Sequence, residues 1–221
     1  TMIQKLQSHK GIWDILVIGG GATGLGIAVD AAARGYKTLL LEQHDFAKGT
    51  SSRSTKLVHG GVRYLQQGDI SLVLEALKER GLMIQNAPHL VLNQAFVIPN
   101  YSWWDGPFYQ LGLKVYDFMS CDLGSGTSKR LSVKETIRHI PTIDQKELTG
   151  GVIYFDGQFD DARMAISLAK TAAHSDGVLL NYMKVEKIIK NKEGITEGVV
   201  ALDLETQEKY QVHSKVVINA T

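Results

Sequence analysis

A glycine-rich turn between a strand and a helix constrains the fold of this chain more than any other sequence feature. Residues 12–18 form an apolar, β-favouring run before the turn. Residues 22–34 after it are rich in alanine and are closed by Gly35, which is typical of a helix and its C-terminal stop. A second apolar run, residues 37–42, follows. This order predicts a right-handed, parallel β-α-β unit.

The turn itself has the sequence of a phosphate-binding loop, Gly-x-Gly-x-x-Gly. Gly19 permits the tight turn, Gly21 lets a diphosphate approach the backbone, and Gly24 lets the helix pack on the strand. The helix N-terminus then offers N–H groups to the phosphates. Glu42, at the end of the second strand, is suited to accept hydrogen bonds from a ribose diol, and its charge disfavours NADP. The alternative for the glycine motif is a plain glycine-rich turn, and the alternative for Glu42 is a solvated charge at a strand end.

The loop after the second strand favours FAD over NAD. Residues 50–56 hold five hydroxyls and two cations, and they run directly into an apolar stretch with paired glycines. A loop with so many short donors is suited to a second row of contacts along an extended dinucleotide.

The sequence resembles the FAD-dependent glycerol-3-phosphate dehydrogenases. The segments that carry the resemblance are residues 19–24, 42–43, 49–65, 87–90 and 156–163. The most specific of them is the hydroxyl-rich run that ends in His-Gly-Gly-Val-Arg-Tyr-Leu. The resemblance implies an α/β fold: a Rossmann-like FAD-binding domain of the glutathione-reductase and D-amino-acid-oxidase type, with part of a second, α+β substrate or cap domain.

We expect the FAD-binding domain to be discontinuous, with residues 1–78 and 150–221, and the cap-domain part to span residues 79–149, where the strand and helix alternation breaks. A helix is predicted at residues 72–86, and a capping box at Ser132 predicts a short helix. Further predictions are a short strand at residues 96–99, an aromatic-rich helix at 108–119, a helix at 161–175, and strands at 178–183, 185–190, 195–203, 207–212 and 216–219.

The two ends of the sequence resemble those of a fragment. The closing residues, 216–221, are similar to the family's later FAD strand, in which a glycine would follow. We therefore interpret the chain as an N-terminal piece of a longer protein and Thr1, before Met2, as an added residue.

The resemblance implies a set of cofactor contacts along the first unit and the loop. They are Gly19, Gly21, Ala22, Thr23, Gly24, Glu42, Gln43, Thr50, Ser51, Ser52, Ser54, Lys56, Leu57, His59, Val185 and Ala220. Lys56 is expected to balance negative charge at the cofactor, with a solvated lysine as the alternative. Val185 is expected to meet the adenine through its backbone, and the alternative is a strand residue in the core.

The resemblance also implies oxidation of sn-glycerol 3-phosphate to dihydroxyacetone phosphate, with hydride transfer to the flavin and electrons passed to a quinone. Arg63 is a candidate for contact with the substrate phosphate, because a guanidinium fork suits a phosphate. Tyr64 is a candidate hydrogen-bond partner. An ion pair for Arg63 and aromatic packing for Tyr64 are the alternatives. For His59, flavin contact, a general base and a purely structural role stay open.

Composition limits the other classes of partner. The chain has 24 Lys and Arg against 23 Asp and Glu, which gives no basis for a nucleic-acid footprint. Its single cysteine, Cys121, excludes an internal disulfide, and no metal is expected. We expect a cytoplasmic protein, compatible with peripheral contact on the cytoplasmic face of the membrane and with a homodimer. An aromatic group, Trp103, Trp104, Phe108, Leu111 and Phe118, fits an interfacial helix or a domain core.

Two other functions remain open on the sequence. The first is an oxidase that returns the electrons to oxygen, since no feature of these residues separates it from a dehydrogenase. The second is a fragment that binds a dinucleotide without turnover.

Overall fold

The computed structural model describes residues 1–59, 69–102 and 127–221, and they form two compact units. The first unit contains residues 1–54 and 161–221, and the second unit contains residues 55–160.

The described residues contain ten strands, five α-helices and one 3-10 turn. The strands are β1 (Trp13–Ile18), β2 (Thr38–Leu41), β3 (Leu57–Val58), β4 (Val91–Asn100), β5 (Lys129–Leu131), β6 (Gly150–Phe159), β7 (Val178–Leu180), β8 (Met183–Lys190), β9 (Thr196–Asp203) and β10 (Lys209–Asn219). The helices are α1 (Met2–Ser8), α2 (Ala22–Ala33), α3 (Ile70–Asn86), α4 (Val133–His139) and α5 (Asp161–His174).

The first unit is built on a six-stranded sheet in the order β7-β2-β1-β10-β9-β8. β1 pairs in parallel with β2 and with the second half of β10, so the predicted β-α-β unit is confirmed. The first half of β10 pairs antiparallel with β9, which pairs in turn with β8. The parallel part therefore carries a three-stranded antiparallel extension.

Two strand predictions in this sheet are wrong. The predicted strand 178–183 ends at Leu180, because Tyr182 takes a left-handed backbone conformation (φ +56°) and β8 begins at Met183. The predicted strands 207–212 and 216–219 are a single strand, β10. It is continuous because its first half pairs with β9 and its second half pairs with β1.

The core of the first unit lies on both faces of the parallel strands. Successive strand residues point to opposite faces, so Leu16 belongs to one apolar cluster and Val17 to the other. The second cluster contains alanines of α2 and α5, among them Ala28 and Ala165. These small side chains let the two helices approach the sheet closely, which fixes the start of α2 at the end of β1.

Two features of the first unit were absent from the sequence predictions. The helix α1 begins with a capping box, in which Thr1 Oγ1 accepts from the N–H of Gln4 and Gln4 Oε1 accepts from the amino group of Thr1. Asp14 of β1 accepts a hydrogen bond from the Lys215 ammonium at 2.7 Å, which holds the pKa of Asp14 below its ordinary value. Because Asp14 also accepts from the N–H of Lys37, it ties β1 to both of its neighbours.

The second unit is built on β6. β4 pairs with β6 along its entire length, and β3 and β5 also pair with β6. The predicted domain boundaries, after residue 78 and before residue 150, both fall inside this unit, because the predicted cap segment pairs with residues 150–159. The short strand predicted at 96–99 is part of the longer β4.

Two helix predictions in the second unit are confirmed. α3 begins after Asp69, whose side chain accepts from the N–H of Leu72. α4 begins with the predicted capping box of Ser132 and Glu135. The predicted aromatic helix at 108–119, with the aromatic group from Trp103 to Phe118, lies outside the described residues. Within the described ranges, none of the helices has the length and apolar character needed to cross a membrane.

Candidate functional site

A cavity of about 670 Å³ lies in the first unit, where β1 and β2 end. Its walls come from the glycine turn, the loop after β2, the start of β8 and the residues that follow β10. Ligands of open α/β sheets bind at the carboxyl ends of the strands, and cavities of this size are typical of small-molecule sites. The location therefore agrees with the predicted dinucleotide site.

The glycine turn is compact because its backbone folds back on itself. Gly19 has a φ of +107°, a conformation that a side chain would strain, and its N–H donates to the carbonyl of Leu41 at 2.9 Å. A Cβ on Gly24 would overlap the carbonyl oxygen of Gly19. The first turn of α2 thus lies directly against the glycine turn, as the sequence predicts.

Ser51 caps α2 from a distant part of the chain. Gly21, at the N-cap position, has no side chain to bond the helix, and Ser51 Oγ accepts from the N–H of Ala22 at 2.8 Å. An oxygen that accepts from the protein still has its own proton to donate. The Ser51 hydroxyl is therefore available to donate to an anion at the helix N-terminus.

Glu42 has a role in the fold that the sequence did not predict. Its Oε2 accepts from the N–H of Gly20 at 2.6 Å, and its Oε1 accepts from the N–H of His44 at 2.7 Å. The carboxylate thus fixes the glycine turn and the loop after β2. A carboxylate has about four acceptor positions, so Glu42 can also accept from ribose hydroxyls in the cavity, which it lines.

A β-bulge lies in the part of the cavity wall that β8 contributes. The register between β8 and β9 shifts between Val185 and Lys187, and Val185 lines the cavity together with Met183. Bulges often re-aim a residue next to a binding site. Val185, a predicted adenine contact, thus occupies a position on the cavity wall, half-buried in its strand.

The structure brings most of the predicted cofactor residues together. Those that line the cavity are Gly19, Gly21, Ala22, Thr23, Glu42, Gln43, Thr50, Ser51, Val185 and Ala220. Gly24 is buried beneath them as a packing position.

Besides Gly24, five predicted contacts are not among the lining residues. Ser54 donates from both its N–H and its hydroxyl to Asp161, at 3.1 and 2.7 Å, and Asp161 is buried. Ser54 therefore anchors the loop on the start of α5. The others are Ser52, with a hydroxyl contact to the carbonyl of Gly49, and Lys56, Leu57 and His59, which belong to the second unit. Arg63 and Tyr64 lie outside the described residues.

Sequence reasoning missed several residues of the cavity wall. They are Ile18, Leu41, His44, Ala47, Lys48, Gly49, Arg53, Met183 and Thr221. Arg53 could have been found, since it lies inside the hydroxyl-rich run. Ala47 could not, because its place depends on a left-handed backbone (φ +60°) and a bond from its N–H to the carbonyl of Gly20. Among the residues that the structure describes, no cluster of three or more metal-ligating side chains is present.

A parallel β-α-β unit, a glycine turn against a helix N-terminus and an acid at the end of the second strand define a dinucleotide-binding domain. The chain belongs to the FAD dependent oxidoreductase family, whose model matches residues 14–221. This match confirms the predicted fold class and the choice of FAD over NAD.

Within this family, the chain is similar to glycerol-3-phosphate dehydrogenases. The chain is 44% identical over 216 residues to "Glycerol-3-phosphate dehydrogenase, mitochondrial" of Schizosaccharomyces pombe, which covers 95% of this chain and 33% of that protein. The solved glycerol-3-phosphate dehydrogenase of Bacillus halodurans, complexed with FAD, is 37% identical with a TM-score of 0.73, over 97% of this chain and 35% of that one. The chain thus spans about a third of the length of these relatives.

A more distant neighbour shares the fold alone. The L-alpha-glycerophosphate oxidase of Mycoplasma pneumoniae, with FAD bound, is 17% identical with a TM-score of 0.63, over 94% of this chain and 53% of that one.

The residues of the cavity fit FAD. A Cβ at Gly21 would lie 3.1 Å from Ser51 Oγ, so glycine keeps open the space in front of the helix N-terminus. The Ser51 hydroxyl and the first N–H groups of α2 suit a diphosphate, and the spare acceptor positions of Glu42 suit a ribose diol.

Replacing Glu42 by glutamine is expected to weaken FAD binding. The amide keeps the size of the side chain but places an NH2 group against one of the two backbone N–H groups, and it loses the charge that strengthens bonds from ribose hydroxyls. We expect a loss of roughly tenfold in affinity. Flavin stoichiometry after desalting measures it, with the exposed Glu205→Gln as control. Full flavin retention by Glu42→Gln would remove Glu42 from the site.

Proposed function

We propose that the protein containing this chain oxidises sn-glycerol 3-phosphate to dihydroxyacetone phosphate with FAD and passes the electrons to a quinone. The observation that carries the proposal is the 44% identity to a glycerol-3-phosphate dehydrogenase over 95% of this chain. The cavity at the ends of β1 and β2 supports it, because its residues suit the ribose and the diphosphate of a dinucleotide.

The described residues of this chain hold the cofactor. The N-terminus of α2 and the Ser51 hydroxyl bind the diphosphate, and Glu42 accepts from the ribose. The backbone of Val185 meets the adenine. When bound, FAD supplies the acceptor for the hydride from C2 of the substrate.

Substrate recognition is assigned to residues that follow β3 in the sequence. Arg63 provides a guanidinium fork for the phosphate of the substrate, and Tyr64 a hydrogen bond to it. His59, an exposed residue that follows β3, contacts the flavin or accepts the hydroxyl proton. These roles, the cytoplasmic location, peripheral contact with the membrane and a homodimer are parts of the proposal.

Anaerobic reduction of the FAD-loaded protein tests this function. Adding glycerol 3-phosphate is expected to bleach the visible absorption band of oxidised flavin, whereas glycerol, which has no phosphate, is expected to leave it unchanged. Equal bleaching by both compounds would contradict the proposed substrate. A flavin that binds but does not respond to either compound would indicate a non-catalytic dinucleotide-binding module.

A second step separates a dehydrogenase from an oxidase. After reduction, a quinone analogue is expected to restore the flavin band rapidly, and oxygen is expected to act slowly. Rapid recovery of the flavin band with oxygen, together with formation of peroxide, would instead indicate an oxidase. The Mycoplasma oxidase shares the fold of this chain.

A further inference from the structure

Two cationic side chains, Lys48 and Arg53, line the cavity beside the glycine turn. Both are exposed. In the part of the chain that the structure describes, neither takes part in an ion pair, whereas some other cations of the first unit do. Examples are Arg34 with Asp30 and Lys215 with Asp14. Lys48 and Arg53 are therefore available to an anionic ligand.

The backbone holds Arg53 close to the start of α2. Residues Thr50–Ser52 form a single 3-10 turn, and the N–H of Arg53 closes it on the carbonyl of Thr50 at 3.0 Å. Ser51, in the middle of this turn, bonds the N–H of Ala22. These two hydrogen bonds together hold the backbone of Arg53 near the N-terminus of α2.

The cavity needs cations if it is to hold a diphosphate. Glu42 places a carboxylate in the same cavity, and this charge repels phosphate oxygens. The N-terminus of a helix offers only about half a positive charge. Lys48 and Arg53 together outweigh the single charge of Glu42 and make the side-chain charge of the wall positive.

We propose that Arg53, with Lys48, forms the cationic wall of the diphosphate subsite for FAD. The assignment rests on the proposed function in one respect, that FAD is the ligand. Arg53 is the main contact, because its planar fork bonds two phosphate oxygens at once, whereas Lys48 acts as a point charge. The charge-balancing role that the sequence suggests for Lys56, a residue of the second unit, stays a separate prediction.

Equilibrium binding of FAD, ADP and riboflavin to apoprotein made from the holoprotein tests the assignment. Arg53→Gln is expected to weaken FAD and ADP binding roughly tenfold or more, because a charge-assisted contact is lost. Riboflavin has no phosphate, and its binding is expected to stay unchanged. Arg53→Lys is expected to restore part of the affinity, and Lys48→Gln to lose less than Arg53→Gln. The affinity of Arg53→Gln for FAD is also expected to depend less on salt.

The exposed Lys192→Gln, in the turn between β8 and β9, is the matched control and is expected to bind like the wild type. Wild-type affinity and salt dependence in Arg53→Gln would overturn the assignment. So would an equal loss for riboflavin, because it would show a general disturbance of the cavity. Failure of the wild-type protein to bind FAD would contradict the proposed function instead.

Discussion

Replacing Gly24 by alanine is expected to weaken FAD binding strongly and to destabilise the first unit. The new Cβ would overlap the carbonyl oxygen of Gly19, which belongs to the glycine turn and is not the end of a flexible side chain. Either α2 moves away from β1 or the turn opens, and both changes displace the helix N-terminus from the cavity. We expect a cost of roughly 3 kcal/mol or more in the free energy of unfolding, and on the order of a hundredfold in FAD affinity.

Gly26, in the same helix, provides the matched control. A Cβ there would meet no atom within 4 Å. Gly26→Ala is therefore expected to stabilise α2 by about 0.5–1 kcal/mol, because alanine loses less backbone entropy in a helix than glycine does. Chemical denaturation and FAD titration of both variants measure the contrast. Equal behaviour of Gly24→Ala and Gly26→Ala would contradict the close approach of α2 to the turn.

Replacing Arg80 by methionine is expected to cause the largest loss of stability in the second unit. Arg80 and Asp156 form a 2.8 Å ion pair in which the side chains are only 1% and 3% exposed. Asp156 also accepts from the N–H of Gly157, next to the pairing of β6 with β3. Without Arg80, the buried carboxylate loses the cation that offsets its desolvation, which costs about 3–5 kcal/mol.

Arg34→Met tests whether burial, rather than the ion pair itself, sets this cost. Arg34 and Asp30 pair at 3.0 Å, but their side chains are 66% and 67% exposed. We expect the loss of this pair to cost less than about 0.5 kcal/mol. Hydrogen exchange of the α2 amides for Arg34→Met and of the β6 amides for Arg80→Met, together with thermal denaturation, measures each cost in the unit that contains the pair. A similar small cost for both variants would refute the importance of the buried pair.

The part of the fold that depends on local sequence was predictable. Alternating apolar runs, the glycine turn and the stop at Gly35 together determine β1, α2 and β2. The cap of α4 follows from Ser132, since a side chain near a helix start bonds local backbone.

The part that depends on distant pairing was not predictable. Nothing in residues 207–219 shows that β10 changes partner and runs through both predicted strands. The bounds of the two compact units differ from those of the predicted domains for a similar reason, because β6 pairs with β4 from the predicted cap segment.

The candidate site shows the same limit. The glycines and Glu42 have roles that follow from their spacing in one local unit. The hydroxyl-rich run, in contrast, contains residues of different roles: Ser51 caps α2, and Ser54 bonds Asp161, 107 positions away in the sequence. Residue type alone could not separate these two serines, because their partners are set by tertiary structure.

A crystal structure of the protein with FAD tests the central claim most directly. The account predicts the diphosphate within hydrogen-bond distance of the first N–H groups of α2 and the Ser51 hydroxyl, and the ribose hydroxyls on the carboxylate of Glu42. Arg53 is expected at the phosphate oxygens. FAD bound elsewhere, or with its diphosphate away from the N-terminus of α2, would contradict the account.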